Sequence, residues 1–183
     1  MEELRTTGDV EMLTTAETSL REGSFECAIE EFTAALERSP ELAEAYRGRA
    51  LASFQLKQWA EAQADFARAR ELNPDDRESW IGLGMSLAMA NEIYPAIEIF
   101  ETLLVRHPDY VRGHLQLGLL YYKLCATAKG RAHLEQALAC RPTLAERRLI
   151  EQVLGEQAKL DKGRYYRPDF AALRACRATG TAG

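Results

Sequence analysis

Prolines stand at residues 40, 74, 108 and 142, each 34 residues after the one before. A proline cannot extend the helix preceding it, and it pushes the residue before it out of helical geometry. A fixed proline spacing therefore imposes a fixed spacing of helix ends. Between the prolines, each segment splits into two amphipathic stretches of about 14 residues with apolar or small side chains at i, i+3, i+4 and i+7. A stack of equal helical hairpins satisfies that pattern, and a single irregular core does not.

The chemistry repeats along with the proline. With the proline taken as position 32, units begin at Asp9, Ala43, Arg77 and Val111. Position 8 is then Ala16, Ala50, Gly84 and Gly118, and position 20 is Ala28, Ala62, Ala96 and Gly130. Position 24 is Phe32, Phe66, Phe100 and Leu134, and position 27 is Ala35, Ala69, Leu103 and Ala137. Small residues recur where two helices must approach closely, and a large one where a hole must be filled. Phe66 and Phe100 are expected to fill the holes inside their own hairpins. Gly23-Ser24, Asn91 and Thr127 supply turn chemistry between paired helices, and Asp75, Asp76 and Asp109 follow prolines where they can cap the next helix.

These offsets resemble the tetratricopeptide repeat (TPR) family, whose pattern is W-x2-L-G-x2-Y, A-x3-F and then P. The third unit fits best, with Trp80, Leu83, Gly84, Ala96, Phe100 and Pro108, and Leu87 where tyrosine is usual. The resemblance implies an all-α, right-handed α-solenoid of four helical hairpins. The expected organisation is an N-terminal extension over 1–8, TPR units over 9–42, 43–76, 77–110 and about 111–144, and a capping helix over 143–160. A basic, aromatic tail occupies 161–183. Leu149, Ile150, Val153, Leu154 and Ala158 make the expected apolar face of the cap. Thr15 and Arg49 at position 7 depart from the pattern and predict looser packing in the first two units.

Enzyme chemistry finds no support. The chain has no glycine-rich phosphate loop, no GxSxG and no HExxH, and its three histidines (His107, His114, His133) share no metal-ligand spacing. No catalytic residue, cofactor or metal is expected, and His114 is read as a packed core residue. The four cysteines form no CxxC pair, the start shows no apolar signal stretch, and no run of 18 apolar residues occurs. The cytoplasm is the expected compartment, without a membrane span.

Within the family, first helices of successive units line a concave groove. Carried onto this sequence, that role falls to Leu13, Glu17, Arg47, Leu51, Phe54, Ile81, Met85, Met89, Leu115, Leu119 and Tyr122. One TPR subclass grips chaperone C-terminal carboxylates with lysine and asparagine at positions 5 and 9. Here those positions are Leu13, Glu17, Arg47, Leu51, Ile81 and Met85, so that clamp is absent. An apolar floor with two methionines suits an amphipathic helix or apolar peptide.

Charge is distributed unevenly. Residues 1–46 carry twelve acids against three arginines, a balance of −9, while residues 144–183 carry eight bases against five acids, a balance of +3. Solvated helix faces explain both stretches, and attraction between the two ends is the alternative. Tyr165, Tyr166, Arg167 and Phe170 in the tail are expected to dock in a groove, of the same chain or another, or to pad the cap around Leu154. The acidic pI of 5.4 opposes nucleic acid. The expected function is a non-catalytic protein-interaction module. Its alternatives are self-association through the tail, giving a homo-oligomer, and a secretion-type chaperone shielding apolar client segments.

Overall fold

The structure is a computed structural model and describes residues 7–164. The proposed tail contacts Tyr165, Tyr166, Arg167 and Phe170 lie outside the described residues. Four hairpins follow one another: α1 (Thr7–Glu22) with α2 (Phe25–Arg38), α3 (Ala43–Gln55) with α4 (Trp59–Leu72), α5 (Arg77–Met89) with α6 (Ile93–Arg106), and α7 (Val111–Lys123) with α8 (Thr127–Ala139). A further helix, α9 (Leu144–Arg164), packs on α8, and no strand occurs among the described residues. Each helix packs on its chain neighbours, and α1, α3, α5 and α7 also touch in succession. No pair of even-numbered helices packs to a comparable degree, so the odd-numbered helices line the inner face of an α-solenoid.

The turn inside each hairpin is one device used four times. Gly23, Lys57, Asn91 and Cys125, spaced by 34, all have positive φ, at 83°, 61°, 66° and 59°. The next N–H in each case reaches back five residues: Ser24 to the Ser19 carbonyl, Gln58 to Ser53, Glu92 to Leu87 and Ala126 to Tyr121, each at 2.9 Å. This bond closes the preceding helix in the left-handed manner that glycine and asparagine favour. In the fourth unit the turn falls on Cys125 and Ala126, not on Thr127, which is already helical.

The turn between hairpins carries the proline, and its carbonyl is also used. Trp80 Nε1 donates to the Pro74 carbonyl at 3.0 Å, and 34 residues later His114 Nε2 lies 2.9 Å from the Pro108 carbonyl. Of the three acids expected as caps, Asp76 caps α5, accepting from the Glu78 N–H at 3.3 Å and the Ser79 hydroxyl at 2.6 Å. The residue entering α7 is Tyr110 rather than Asp109, and it makes no side-chain cap bond. Thr143 and Glu146 form a reciprocal capping box at α9.

Position 24 fills holes, but not always within its own hairpin. A Cβ added at Gly84 would lie 2.4 Å from the Phe100 ring, so Phe100 does occupy its own unit. Cβ atoms at Gly48 and Gly82 would lie 2.2 Å and 2.3 Å from the rings of Phe32 and Phe66, which come from the preceding units. The reason is a trade between two positions. Where position 6 of the next unit is glycine (Gly48, Gly82), position 8 of the phenylalanine's own unit is alanine (Ala16, Ala50) and the ring leans forward. Where position 6 is Gln116, position 8 is Gly84 and the ring leans back.

Positions 7 and 23 also pair. Arg49 binds Asp65 through two bonds, Nε to Oδ2 at 2.7 Å and Nη2 to Oδ1 at 2.8 Å, with a third to Thr33 at 3.1 Å. Leu83 and Ile99 meet at the equivalent place in one apolar cluster. The departure at Arg49 is thus a matched ion pair rather than a loose contact. At the far end, Ile150 of α9 is buried beside Leu115, Leu134 and Ala137, with Val153 and Leu154 packed around it. Leu149 lies a hundred degrees round the helix from Ile150 and is exposed, so it leaves the expected cap face.

Candidate protein-interaction groove

A cavity of about 470 Å³ opens on the inner face between α3, α5 and α7. Its wall takes Arg47, Leu51, Phe54 and Gln55 from α3, Glu78, Ile81, Gly82 and Met85 from α5, and Arg112 from α7, with Phe66 beneath. The helical period explains the selection: Leu51 and Met85 occupy position 9 of adjacent units, one turn beyond Arg47 and Ile81 at position 5.

Of the residues expected in a groove, the cavity brings together Arg47, Leu51, Phe54, Ile81 and Met85. Leu51 is 39% exposed, whereas Ile81 is 1% exposed and forms floor rather than wall. Leu13 and Leu115 are buried, at 6% and 5% exposure, within the clusters of the first and fourth hairpins. Glu17, Met89 and Leu119 are exposed outside the cavity lining, and Tyr122 is half-buried against Gly130. Phe66 and Gly82 line the cavity although neither was among the residues expected in the groove. Glycine recurring at position 6 was the available signal, because it opens a path from the groove to the ring beneath.

The charged groups at the rim are engaged with one another. Arg47 Nη1 lies 3.1 Å from Asp76 Oδ2, the same carboxylate that caps α5. Glu78 takes the Tyr110 hydroxyl on Oε1 at 2.7 Å and the Arg112 guanidinium on Oε2. Burial, followed by the hydrogen bond to Glu78, pushes the Tyr110 hydroxyl up to about 12, so it stays a neutral donor in the physiological range. Arg77 stacks over the Tyr110 ring at 5.0 Å. Phe54 is held edge-to-face by Trp59, with ring centroids 5.1 Å apart. The arrangement is an apolar floor that includes the adaptable thioether of Met85, beside an aromatic wall, with its nearest cations already neutralised.

No three of His, Cys, Asp or Glu come together as a metal set among the described residues. No described helix is long and apolar enough to cross a membrane. Cys27, Cys125 and Cys140 carry free thiols, and burial raises the Cys140 thiol above its ordinary range.

A family model described as "Tetratricopeptide repeat" matches residues 43–76, the bounds of the second unit. The second hairpin is thus a tetratricopeptide repeat unit. Among solved structures, one titled "Crystal structure of MamA" is 17% identical, with 89% of this chain and 96% of that chain covered at a TM-score of 0.67. The second TPR domain of human RPAP3, in complex with the HSP70 peptide SGPTIEEVD, is 22% identical over 61% of this chain and 92% of that chain, at a TM-score of 0.58. The first TPR of Spaghetti (RPAP3), bound to the HSP90 peptide SRMEEVD, is 19% identical over 68% and 99%, at 0.62. At these identities the likeness is one of fold. No curated protein matches the chain significantly in sequence.

Proposed function

We propose that this chain is a non-catalytic protein-interaction module of the cytoplasm that holds an apolar or amphipathic helical segment of a partner in the cavity between α3, α5 and α7. The observation that carries the reading is the pairing of an apolar lining (Leu51, Phe54, Ile81, Met85) with rim cations that already have carboxylate partners. An apolar side chain entering this cavity gains about 25 cal/mol for each Å² it removes from water, and it breaks no ion pair. An acidic peptide like those bound by the RPAP3 domains would have to displace Asp76 from Arg47 or Glu78 from Arg112. Two exposed free thiols, Cys27 and Cys125, support a reducing compartment.

Fluorescence anisotropy with two probes tests the reading: a labelled amphipathic helical peptide with leucines at i, i+3, i+4 and i+7, and the peptide SRMEEVD. The amphipathic peptide should bind, and Leu51→Glu with Met85→Glu should weaken it at least tenfold while helicity by circular dichroism is retained. Tighter binding of SRMEEVD, or an unchanged affinity in a folded double variant, would contradict it.

A further inference from the structure

The N-terminal face of the array holds a second cavity, of about 390 Å³, between α1 and α2. Gly8, Glu11, Met12 and Thr15 line one side, and Glu31, Ala34 and Arg38 the other. Arg38 is turned towards Met12, with Nη1 3.1 Å from its sulfur, and it makes no ion pair with Glu31. Glu31 Oε2 is buried and has no hydrogen-bond partner. A buried carboxylate oxygen without a donor is unfavourable, so a donor from a partner would be favoured at this place.

The repeat itself says which donor fits. Glu31 is position 23 of the first unit, and position 23 of the second unit is Asp65. Asp65 is held in a two-pronged grip by Arg49 from position 7 of its own unit. In the first unit position 7 is Thr15, whose hydroxyl instead donates back to the Glu11 carbonyl at 3.0 Å. The third unit replaces the charged pair by Leu83 and Ile99, and the fourth has Leu117 with His133. Only the first unit has a position-23 carboxylate without the cation that its neighbour supplies. The cavity beside it has the room that the Arg49 side chain takes up one unit later.

We propose that this N-terminal cavity receives an arginine from residues 164–177 of a second copy of the chain, joining copies end to end. That stretch, RYYRPDFAALRACR, brings four arginines (Arg164, Arg167, Arg174, Arg177) against one acid, Asp169. In sequence it begins at the last residue of α9, a helix separated from α1 by α2 to α8. The charge balance of the two ends, −9 over residues 1–46 and +3 over residues 144–183, favours their encounter. A head-to-tail contact of this kind uses different surfaces on the two partners and so produces rings or open chains. It is independent of the inner groove.

Static light scattering of the full chain and anisotropy of a labelled peptide of residues 164–177 test the proposal together. The peptide should bind the wild type, and the mass of the full chain should rise with concentration. Glu31→Gln should weaken the peptide at least tenfold and return the chain to monomer. Thr15→Arg should do the same by supplying the missing guanidinium within the chain, and should keep or raise the thermal midpoint. The groove variant Leu51→Glu with Met85→Glu should leave both readouts unchanged. A chain monomeric at every concentration, peptide binding indifferent to Glu31→Gln and Thr15→Arg in folded protein, or binding lost in the groove variant would each overturn the proposal.

Discussion

Arg49 and Asp65 show how one position in the repeat can be filled by opposite chemistries. Both are largely shielded from solvent, so removing one charge leaves the other without its partner. Arg49→Leu should cost about 3 kcal/mol, because a mostly buried carboxylate is left uncompensated. Adding Asp65→Ile copies the Leu83 and Ile99 pair of the next unit and should recover most of that loss. A double-mutant cycle in urea measures the coupling, and independent, additive losses would show that the ion pair is incidental. Lys57 makes a smaller test. It holds φ at 61° in a turn where the first unit uses glycine. Lys57→Gly should therefore stabilise by about 0.5–1 kcal/mol, the left-handed penalty outweighing the added chain entropy.

Between α7 and α8 the decisive contact is a histidine pair that the sequence separates by 19 residues. His114 Nδ1 lies 3.2 Å from His133 Nδ1, and the His133 ring stacks on Tyr121 with the planes 6° apart. The Pro108 carbonyl can only accept, so His114 Nε2 is the donor to it, and His114 Nδ1 is left facing His133 Nδ1. Two imidazolium ions cannot share this contact. Burial first, then the charge of His114, with Lys129 adding and Glu101 opposing, hold His133 below the ordinary histidine range. The folded state thus prefers neutral His133, and its contribution is complete above the unfolded value of about 6.5 and lost as pH falls below it. The thermal midpoint should fall between pH 7 and 5, and His133→Gln should flatten that fall. An identical pH profile in the variant would remove His133 from the account. The phenylalanine contacts carry a different prediction. Phe100→Ala should cost about 3–5 kcal/mol, and Phe66→Ala a similar amount while also hollowing the groove floor. Equal thermal midpoints for parent and variants would contradict the packing described.

For the whole molecule, helix count and register were legible because proline, small residues and position 24 repeat at fixed offsets, and hairpin packing admits few other arrangements. Depth was not legible. Periodicity names the face on which Leu13, Ile81 and Leu115 stand, but not whether the neighbouring helix covers them, since that depends on contacts between units. The direction of the Phe32 and Phe66 rings was written in the glycines at position 6, one unit further on, and required two positions to be read together. The histidine pair and the lone Glu31 carboxylate were invisible for the same reason, since each is defined by a partner present or missing across a helix interface. The central claim is that the inner cavity, and no other face, receives an apolar segment. Its most direct test is a methyl-labelled methionine spectrum of the full chain. Met85 lines the inner cavity, and Met12 lines the N-terminal one. Titration with the amphipathic helical peptide should shift the Met85 methyl resonance and leave Met12 in place. A shifted Met12 with an unmoved Met85 would contradict the account.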